Sequence, residues 1–251
     1  MRYLILSDLH AGVEALDACL KLAEGKYDAA VCLGDIVGYG PDPEAVIDRI
    51  RKQTSLMIRG NHDKACCGIT SAEDFNPWAR AATYWTRASL DEAHLGFLHE
   101  LSAGPMDVAG FSIVHGSARD EDQYVLSAAD ALPILQNQRQ PVVFFGHTHL
   151  QGGFSLNSAG RLQRIPTGHG DDEQDACATT VRMDEESLYL VNPGSVGQPR
   201  DGNWRAAFAI FDDAARSVEY YRTVYDLAST QRKMFRAGLP EPLIRRLEMG
   251  R

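Results

Sequence analysis

The stretch Phe144-Phe145-Gly146-His147-Thr148-His149 constrains this chain more than any other. An apolar, β-prone run from Pro141 to Phe145 ends in glycine and then offers two imidazoles. In extended backbone, side chains at i and i+2 leave the same face, so both rings can reach one small site. A histidine pair alone would carry little weight. Four earlier apolar runs end in the same kind of residue: Asp8 with His10, Asp35, Asn61 with His62, and His115. The fold must bring these run ends together.

The chain in order supports such a fold. Tyr3 to Leu6 is a short apolar run without alternation, the pattern of a strand buried on both faces. Val13 to Glu24 carries a helical stripe at Val13, Leu16, Leu20 and Ala23, and Ala29 to Leu33 is a second buried strand. Strand, helix, strand over about thirty residues is a βαβ unit, whose strands run parallel. Ligands of such sheets gather at the carboxyl ends of strands, where Asp8, His10 and Asp35 stand.

Further along, Asp42 is expected to cap a helix beginning at Pro43, and Ser55 to Ile58 to form a third strand. Glu73 to Leu101 reads as mostly helical, with Trp78, Ala82, Trp85 and Leu90 on a buried face and with His94 and His99 in surface or core roles. Phe111 to Val114 is a strand and Ala128 to Leu135 a helix. After His149, short strands at Phe154–Leu156, Leu162–Ile165, Leu188–Val191, Ala206–Phe211 and Val218–Val224 suggest a second, more antiparallel sheet. Helices close the chain near Ala228–Ala237 and Pro240–Glu248. No repeat or linker divides residues 1–251, so one domain is expected.

Composition excludes some partners. A net charge of -9 argues against an extended nucleic-acid surface, which needs a basic face, but leaves room for a small phosphate ester. Five cysteines, odd in number and without a C-x-x-C pattern, read as reduced and mostly buried, the adjacent Cys66-Cys67 included. No run approaches membrane-spanning length, and Tyr3 to Leu6 is too short for a secretory leader, so the expected address is the cytoplasm. A homo-oligomer stays open.

The candidate ligands are Asp8, Asp35 and Asn61 through oxygen and His10, His115, His147 and His149 through nitrogen. Mixed imidazole and carboxylate suits Mn, Fe, Zn, Co or Ni, with Mg also admissible; the absence of thiolate disfavours a structural zinc site. Seven ligands exceed one ion and fit two divalent ions sharing a carboxylate, with manganese the preferred metal. Two ions about 3.5–4 Å apart clamp the attacking and leaving oxygens of a displacement at phosphorus and turn a bridging water into hydroxide. His62, beside Asn61, is placed to protonate the leaving alkoxide.

The series Asp8-x-His10, Gly34-Asp35, Gly60-Asn61-His62-Asp63, His115 and Gly146-His147-Thr148-His149 resembles the calcineurin-like metallophosphoesterase superfamily. Asn192-Pro193-Gly194-Ser195-Val196-Gly197-Gln198-Pro199-Arg200-Asp201 is similar to the signature of small bacterial phosphodiesterases of the YfcE type. The resemblance implies a four-layer α/β/β/α sandwich of two mixed sheets flanked by helices. It assigns one metal to Asp8, His10, Asp35 and His149 and the other to Asp35, Asn61, His115 and His147, with Asp35 bridging. It makes His62 the general acid and Asp63 the residue that orients it. The implied activity is a phosphodiesterase, favoured over a monoesterase, acting on small phosphodiesters, nucleotides or cyclic nucleotides.

Departures narrow the branch. Phosphoprotein phosphatases carry Gly-Asp-x-x-Asp-Arg-Gly, where this chain has Gly38 and Tyr39, and purple acid phosphatases use Asp-x-Gly first, where this chain has His10. Rival readings are a non-catalytic metal-binding scaffold or a nucleotide-binding protein on the same fold. Arg119, Arg200 and Arg205 are candidate phosphate partners, though a surface ion pair would explain each. His169 with Asp171, Asp172, Glu173 and Asp175 reads as a solvated acidic loop, inside a polar stretch, 168–187, that is either a lid or an insertion.

Overall fold

The first strand shows how the layers arise. In the computed structural model, which describes residues 1–168 and 179–251, β1 (Arg2–Leu6) is buried on both faces. Tyr3 and Ile5 enter one apolar cluster while Leu4 and Leu6 enter another. Such a strand needs a packed layer on each side.

The chain then lays down α1 (Val13–Ala23), β2 (Ala29–Cys32) and α2 (Pro43–Gln53), with β2 parallel to β1. Three helices follow, α3 (Asn61–Cys66), α4 (Pro77–Ser89) and α5 (Glu92–Glu100). Next come β3 (Met106–Val108), β4 (Phe111–Ile113), α6 (Ala128–Leu135) and β5 (Val142–Phe144). Six strands and two helices complete the described chain: β6 (Gly152–Leu156), β7 (Leu162–Ile165), β8 (Thr179–Arg182), β9 (Leu188–Asn192), β10 (Ala206–Asp212), β11 (Ser217–Thr223), α7 (Leu227–Arg236) and α8 (Glu241–Met249).

One sheet has the order β2-β1-β10-β11-β8 and the other β3-β4-β5-β9-β6-β7. Both are mixed: β1 and β2 are parallel in the first, β4, β5 and β9 in the second, and the remaining pairs are antiparallel. Ile5, Phe111, Phe144, Val191, Phe211 and Tyr220 fill the space between the sheets. Leu4, Leu6, Phe208 and Ile210 pack outward against Leu16, Val46 and Ile47 of α1 and α2. Val143, Phe154 and Leu190 meet Ala131 and Leu135 of α6 on the opposite side. The architecture is α/β/β/α. A fourth cluster joins α4, α7 and α8 around Tyr39.

Several local expectations are corrected. The later strands do not form a sheet of their own: β10, β11 and β8 extend the sheet of β1, whereas β6, β7 and β9 extend that of β5. Periodicity identifies a strand but not its partner. Ser55 to Ile58 makes only a Cys32–Met57 bridge beside β2, too short for a strand. The two short edge strands β3 and β8 were not anticipated. Trp78 is exposed and Trp85 only half-buried, whereas Ala82 and Leu90 are buried as expected, joined by Ala79, Thr83 and Thr86. Asp42 precedes α2 without a side-chain cap, because its carboxylate pairs with Lys233 at 2.9 Å. Of the supposed lid over 168–187, residues 179–182 are β8. Residues 169–178, with His169, Asp171, Asp172, Glu173, Asp175 and Cys177, lie outside the described residues.

Phe111 joins the two sheets. Its buried ring lies edge-on to Tyr3 at 4.9 Å and to Phe144 and Phe211 at 5.4 Å. Phe111→Ala is expected to remove about 3–5 kcal/mol of stability. Urea denaturation measures this, and a loss below about 1 kcal/mol would show that these rings do not hold the sheets together.

Candidate metal centre

The loops after β1 and β2 continue side by side past the strand ends. Asp8, His10 and Ala11 donate their backbone N–H groups to the carbonyls of Gly34, Asp35 and Ile36, each at 3.0 Å. Asp8 and His10 are thereby laid against Asp35. On the second sheet, the Gly146 N–H bonds the His115 carbonyl at 2.8 Å, which joins the ends of β4 and β5. Asp8, His10, Asp35, His147 and His149 all have left-handed backbone, with φ of 53°, 44°, 51°, 65° and 60°. Each such position costs on the order of 1–3 kcal/mol outside glycine and persists only where the surroundings over-determine it. Glycine serves where backbone comes closest: a Cβ on Gly60 would stand 2.2 Å from Asp35 Oδ1, and one on Gly146 would stand 2.1 Å from Ser7 Oγ.

These loops assemble two buried groups. Asp8, His10, Asp35 and His149 bring their donor atoms within 4.8 Å of one another, and so do Asp35, His115 and His147. Asp35 is common to both. Its Oδ2 lies 3.6 Å from His10 Nε2 and 3.4 Å from His115 Nε2. Asn61 Oδ1 lies 3.2 Å from His115 Nε2, and His149 Nε2 lies 3.4 Å from Asp8 Oδ1. All seven sequence-predicted ligand residues are together.

The tautomers follow from the backbone. Nδ1 of His10, His115 and His149 faces the carbonyls of Val37 (3.1 Å), Leu33 (2.8 Å) and Gln198 (2.6 Å). A carbonyl only accepts, so each Nδ1 donates and a neutral ring presents its Nε2 lone pair. Yet His10 Nε2 and His149 Nε2 are 3.1 Å apart. Two lone pairs at that distance repel unless a cation binds both. Asp35 Oδ2 and His147 Nε2 are buried with no hydrogen-bond partner among the described residues. Orphaned acceptors aimed at one spot are the signature expected of a divalent metal site.

Protonation follows the same pattern. Burial holds His10 and His149 well below the usual imidazole range and His147 down to about 3. Burial also works against charge on Asp35, but His115 and His62 win and hold that carboxyl well below its ordinary value. Burial likewise opposes charge on His115, which the Asp35 carboxylate nonetheless raises to about 10. Asp8, buried and close to Asp35, is pushed up to about 7. Cys66 and Cys67 point their sulfurs at the carbonyls of Thr83 and Lys64.

His62 stands at the edge of these groups. Its backbone N–H donates to Asp35 Oδ1 at 2.8 Å, and its ring lies 4.3 Å from Tyr39, 4.8 Å from Phe75 and 5.1 Å from His10. Burial pushes its pKa down to about 4. Asp63 makes no hydrogen bond to that ring among the described residues. Its carboxylate accepts from the N–H groups of Val37 (3.0 Å) and Gly60 (2.9 Å), and burial raises its pKa to about 7. The physical reason is α3, which begins at Asn61. Successive side chains on a helix diverge, and the third residue folds back to its start.

The segment 192–201 underlies the centre. Asn192 Nδ2 donates to the Gly146 carbonyl and Thr148 Oγ1, both at 3.0 Å, and Ser195 Oγ donates to the Asp8 carbonyl at 2.8 Å. Of the three arginines, Arg200 reaches Gln198 Oε1 (3.0 Å) and Tyr39 OH (3.5 Å) beside the centre. Arg119 is exposed on the loop after His115, and Arg205 is buried with its Nε on Asn203 Oδ1 at 3.2 Å, so Arg205 is no surface group. A cleft of about 460 Å³ opens over Asn61, His62 and His147, walled by Tyr39, Phe75 and Tyr124. The motif reading passed over these three rings and the Gln198 carbonyl. Rings that share a wall only in the folded chain leave no spacing signal.

The geometry can be set beside known proteins. A family model described as the calcineurin-like phosphoesterase superfamily domain matches residues 1–215. An uncharacterised protein of Methanocaldococcus jannaschii is 32% identical over 254 residues, which span 98% of this chain and 97% of the relative. A metallophosphoesterase crystal structure from Sphaerobacter thermophilus matches with a TM-score of 0.83 at 37% identity over the whole of both chains. A hypothetical protein from Pyrococcus horikoshii shares the fold, with a TM-score of 0.78 at 20% identity over 100% of this chain and 98% of that one.

A divalent ion added to chelator-stripped protein at a hundredfold its Kd is expected to add about 2.7 kcal/mol of stability. Asp35→Ala should lose that gain. Thermal melts with and without Mn²⁺ measure both, and an equal rise in the two proteins would remove Asp35 from the ion.

Proposed function

This chain belongs to the calcineurin-like phosphoesterase superfamily, and from that premise we propose that it is a dimetal-dependent phosphodiesterase. The observation that carries the reading is the pair of buried donor groups sharing Asp35, with imidazole lone pairs set 3.1 Å apart. In this reading Asp8, His10, Asp35 and His149 hold one ion and Asp35, Asn61, His115 and His147 the other, with Mn²⁺ preferred. When bound, such ions supply positive charge to phosphoryl oxygens and make a water acidic enough to attack near neutral pH.

The protein's own groups supply the remainder. A water that has given one proton to solvent would add its oxygen to phosphorus as the ester P–O bond breaks, and His62 would give the departing alkoxide a proton that solvent later restores to the ring. An imidazole held near 4 is a strong acid but is seldom charged at neutral pH. An anionic phosphate entering beside it favours the protonated form. Tyr39, Phe75 and His10 hold the ring by packing, while Asp63 acts as a positioning residue by pinning the backbone at Val37 and Gly60.

The diester preference is supported by the likeness of Asn192 to Asp201 to the phosphodiesterase signature, and the substrates we infer are small phosphodiesters or nucleotides. We further read residues 1–251 as one domain working in the cytoplasm; among the described residues no helix is long and apolar enough to cross a membrane. The presence of every ligand and of His62 weighs against the scaffold and binding-only alternatives.

Metal-loaded protein should hydrolyse bis-p-nitrophenyl phosphate faster than p-nitrophenyl phosphate. His62→Ala should lower kcat about 10²–10⁴-fold at unchanged metal content. Steady-state kinetics with parallel metal analysis decide the matter: absence of turnover with Mn²⁺, Fe²⁺, Co²⁺, Ni²⁺ and Zn²⁺ would sink the enzyme reading, and full activity in the variant would assign the acid elsewhere.

A further inference from the structure

The cleft over the metal centre has a lining that speaks to the alcohol half of the ester. Two aromatic rings border its reactive floor. Phe75 lies 4.8 Å from the ring of His62, and Tyr124 lies 3.9 Å from that of His147 with a tilt of 35°. Tyr124 is 49% exposed, so one face of a large apolar ring covers an imidazole while much of its surface remains open toward the cleft.

The loop that carries Tyr124 is fastened rather than loose. Lys64 reaches Glu121 at 3.0 Å and Asp122 at 2.6 Å, and Arg59 grips both oxygens of Glu121 at 3.2 Å. Both cations flank Asn61 and His62 in sequence, so the strap that positions Tyr124 is tied to the segment that positions the acid. Gly116 permits the fold-back, since a Cβ there would stand 2.7 Å from the backbone of Gln123.

The rim has a sign. Asp74 and Asp122 line the cleft, and its lysine, Lys64, is already neutralised by two carboxylates. Asp122 is balanced by Lys64, but Asp74 has no ion pair among the described residues, so a leaving group that carries further phosphates meets its negative charge, whereas hydroxyls meet good acceptors. The cleft volume of about 460 Å³ lies in the ordinary range for small-molecule sites. Aromatic platform, hydroxyl-accepting rim and exclusion of extra anions describe one kind of alcohol. Resting on the phosphoesterase reading of this site, we propose that the cleft selects esters whose leaving alcohol is an uncharged nucleoside, with its base stacked on Tyr124 and its sugar hydroxyls toward Asp74 and Asp122. Base-on-ring stacking of this kind tolerates any base.

The test uses the metal-loaded full chain. Calorimetry compares adenosine 5′-monophosphate, adenosine 5′-diphosphate and glycerol phosphate, while kinetics compare a dinucleoside monophosphate with a glycerophosphodiester. Adenosine monophosphate should bind about tenfold or more tightly than glycerol phosphate, and the dinucleoside ester should be favoured by a similar factor in kcat/KM. Tyr124→Leu, which keeps apolar cover over His147, should bring both ratios close to one; Asp74→Asn should strengthen the diphosphate more than the monophosphate at low salt. Ratios near one in the native protein, or ratios unmoved by Tyr124→Leu, would overturn the proposal even with brisk diester turnover. Ring-dependent binding without turnover would uphold nucleoside selection and refute the hydrolase reading instead.

Discussion

Everything in this site hangs on one buried carboxylate. Asp35 commits Oδ1 to the backbone N–H of His62 and leaves Oδ2 without a hydrogen bond among the described residues, between His10 and His115. A bare carboxylate oxygen in a dry interior is expensive unless positive charge stands beside it. Among the protein's own groups His115 stands closest to it, and the Asp35 carboxylate raises that imidazole to about 10.

The same requirement explains the distorted backbone. Five donor-bearing positions sit at positive φ, a region that aspartate and histidine enter more readily than most residues but still at a cost. They are held by pairing between loops that run beyond the strands, by the strap of residues 192–201 beneath them, and by carbonyls that fix three imidazole tautomers. The double-sheet core provides the rigid base. With β1 buried on both faces, a shift of the loops would have to shift the strand with them.

The two residues after Asn61 divide their labour. His62 faces the cleft, enclosed by aromatic rings, and has no hydrogen bond on Nδ1 among the described residues. Asp63 faces inward and ties the turn at Gly60 to the loop at Val37. Orientation of the His62 ring thus comes from packing and from the backbone beneath it. Farther out, a buried network joins Gln151, Arg222 and Asp201, linking the loop after His149 to β11 and to the strap.

The identities and order of the candidate ligands were legible in the chain because each stands just past an apolar run, and the end of such a run is marked by glycine, serine, histidine or a charged residue. The buried strands around them were legible for the same reason: apolar burial leaves a local periodic trace. Partnership between strands was not. The pairing of β10 and β11 with β1, and of β9 with β5, depends on which edge is open once the earlier strands are down, and no local pattern encodes that. The resemblance pairs Asp63 with His62; the short helix α3 turns the two side chains apart, and Asp63 ties down backbone instead. Tyr39, Phe75 and Tyr124 share no sequence spacing, and they become one wall only when the loop after β2, the segment before α4 and the loop after His115 converge. The chain by itself determined which atoms could bind an ion. Only the tertiary structure decided what surrounds that ion, because burial, charge balance and cleft shape are properties of segments that meet in space rather than in sequence.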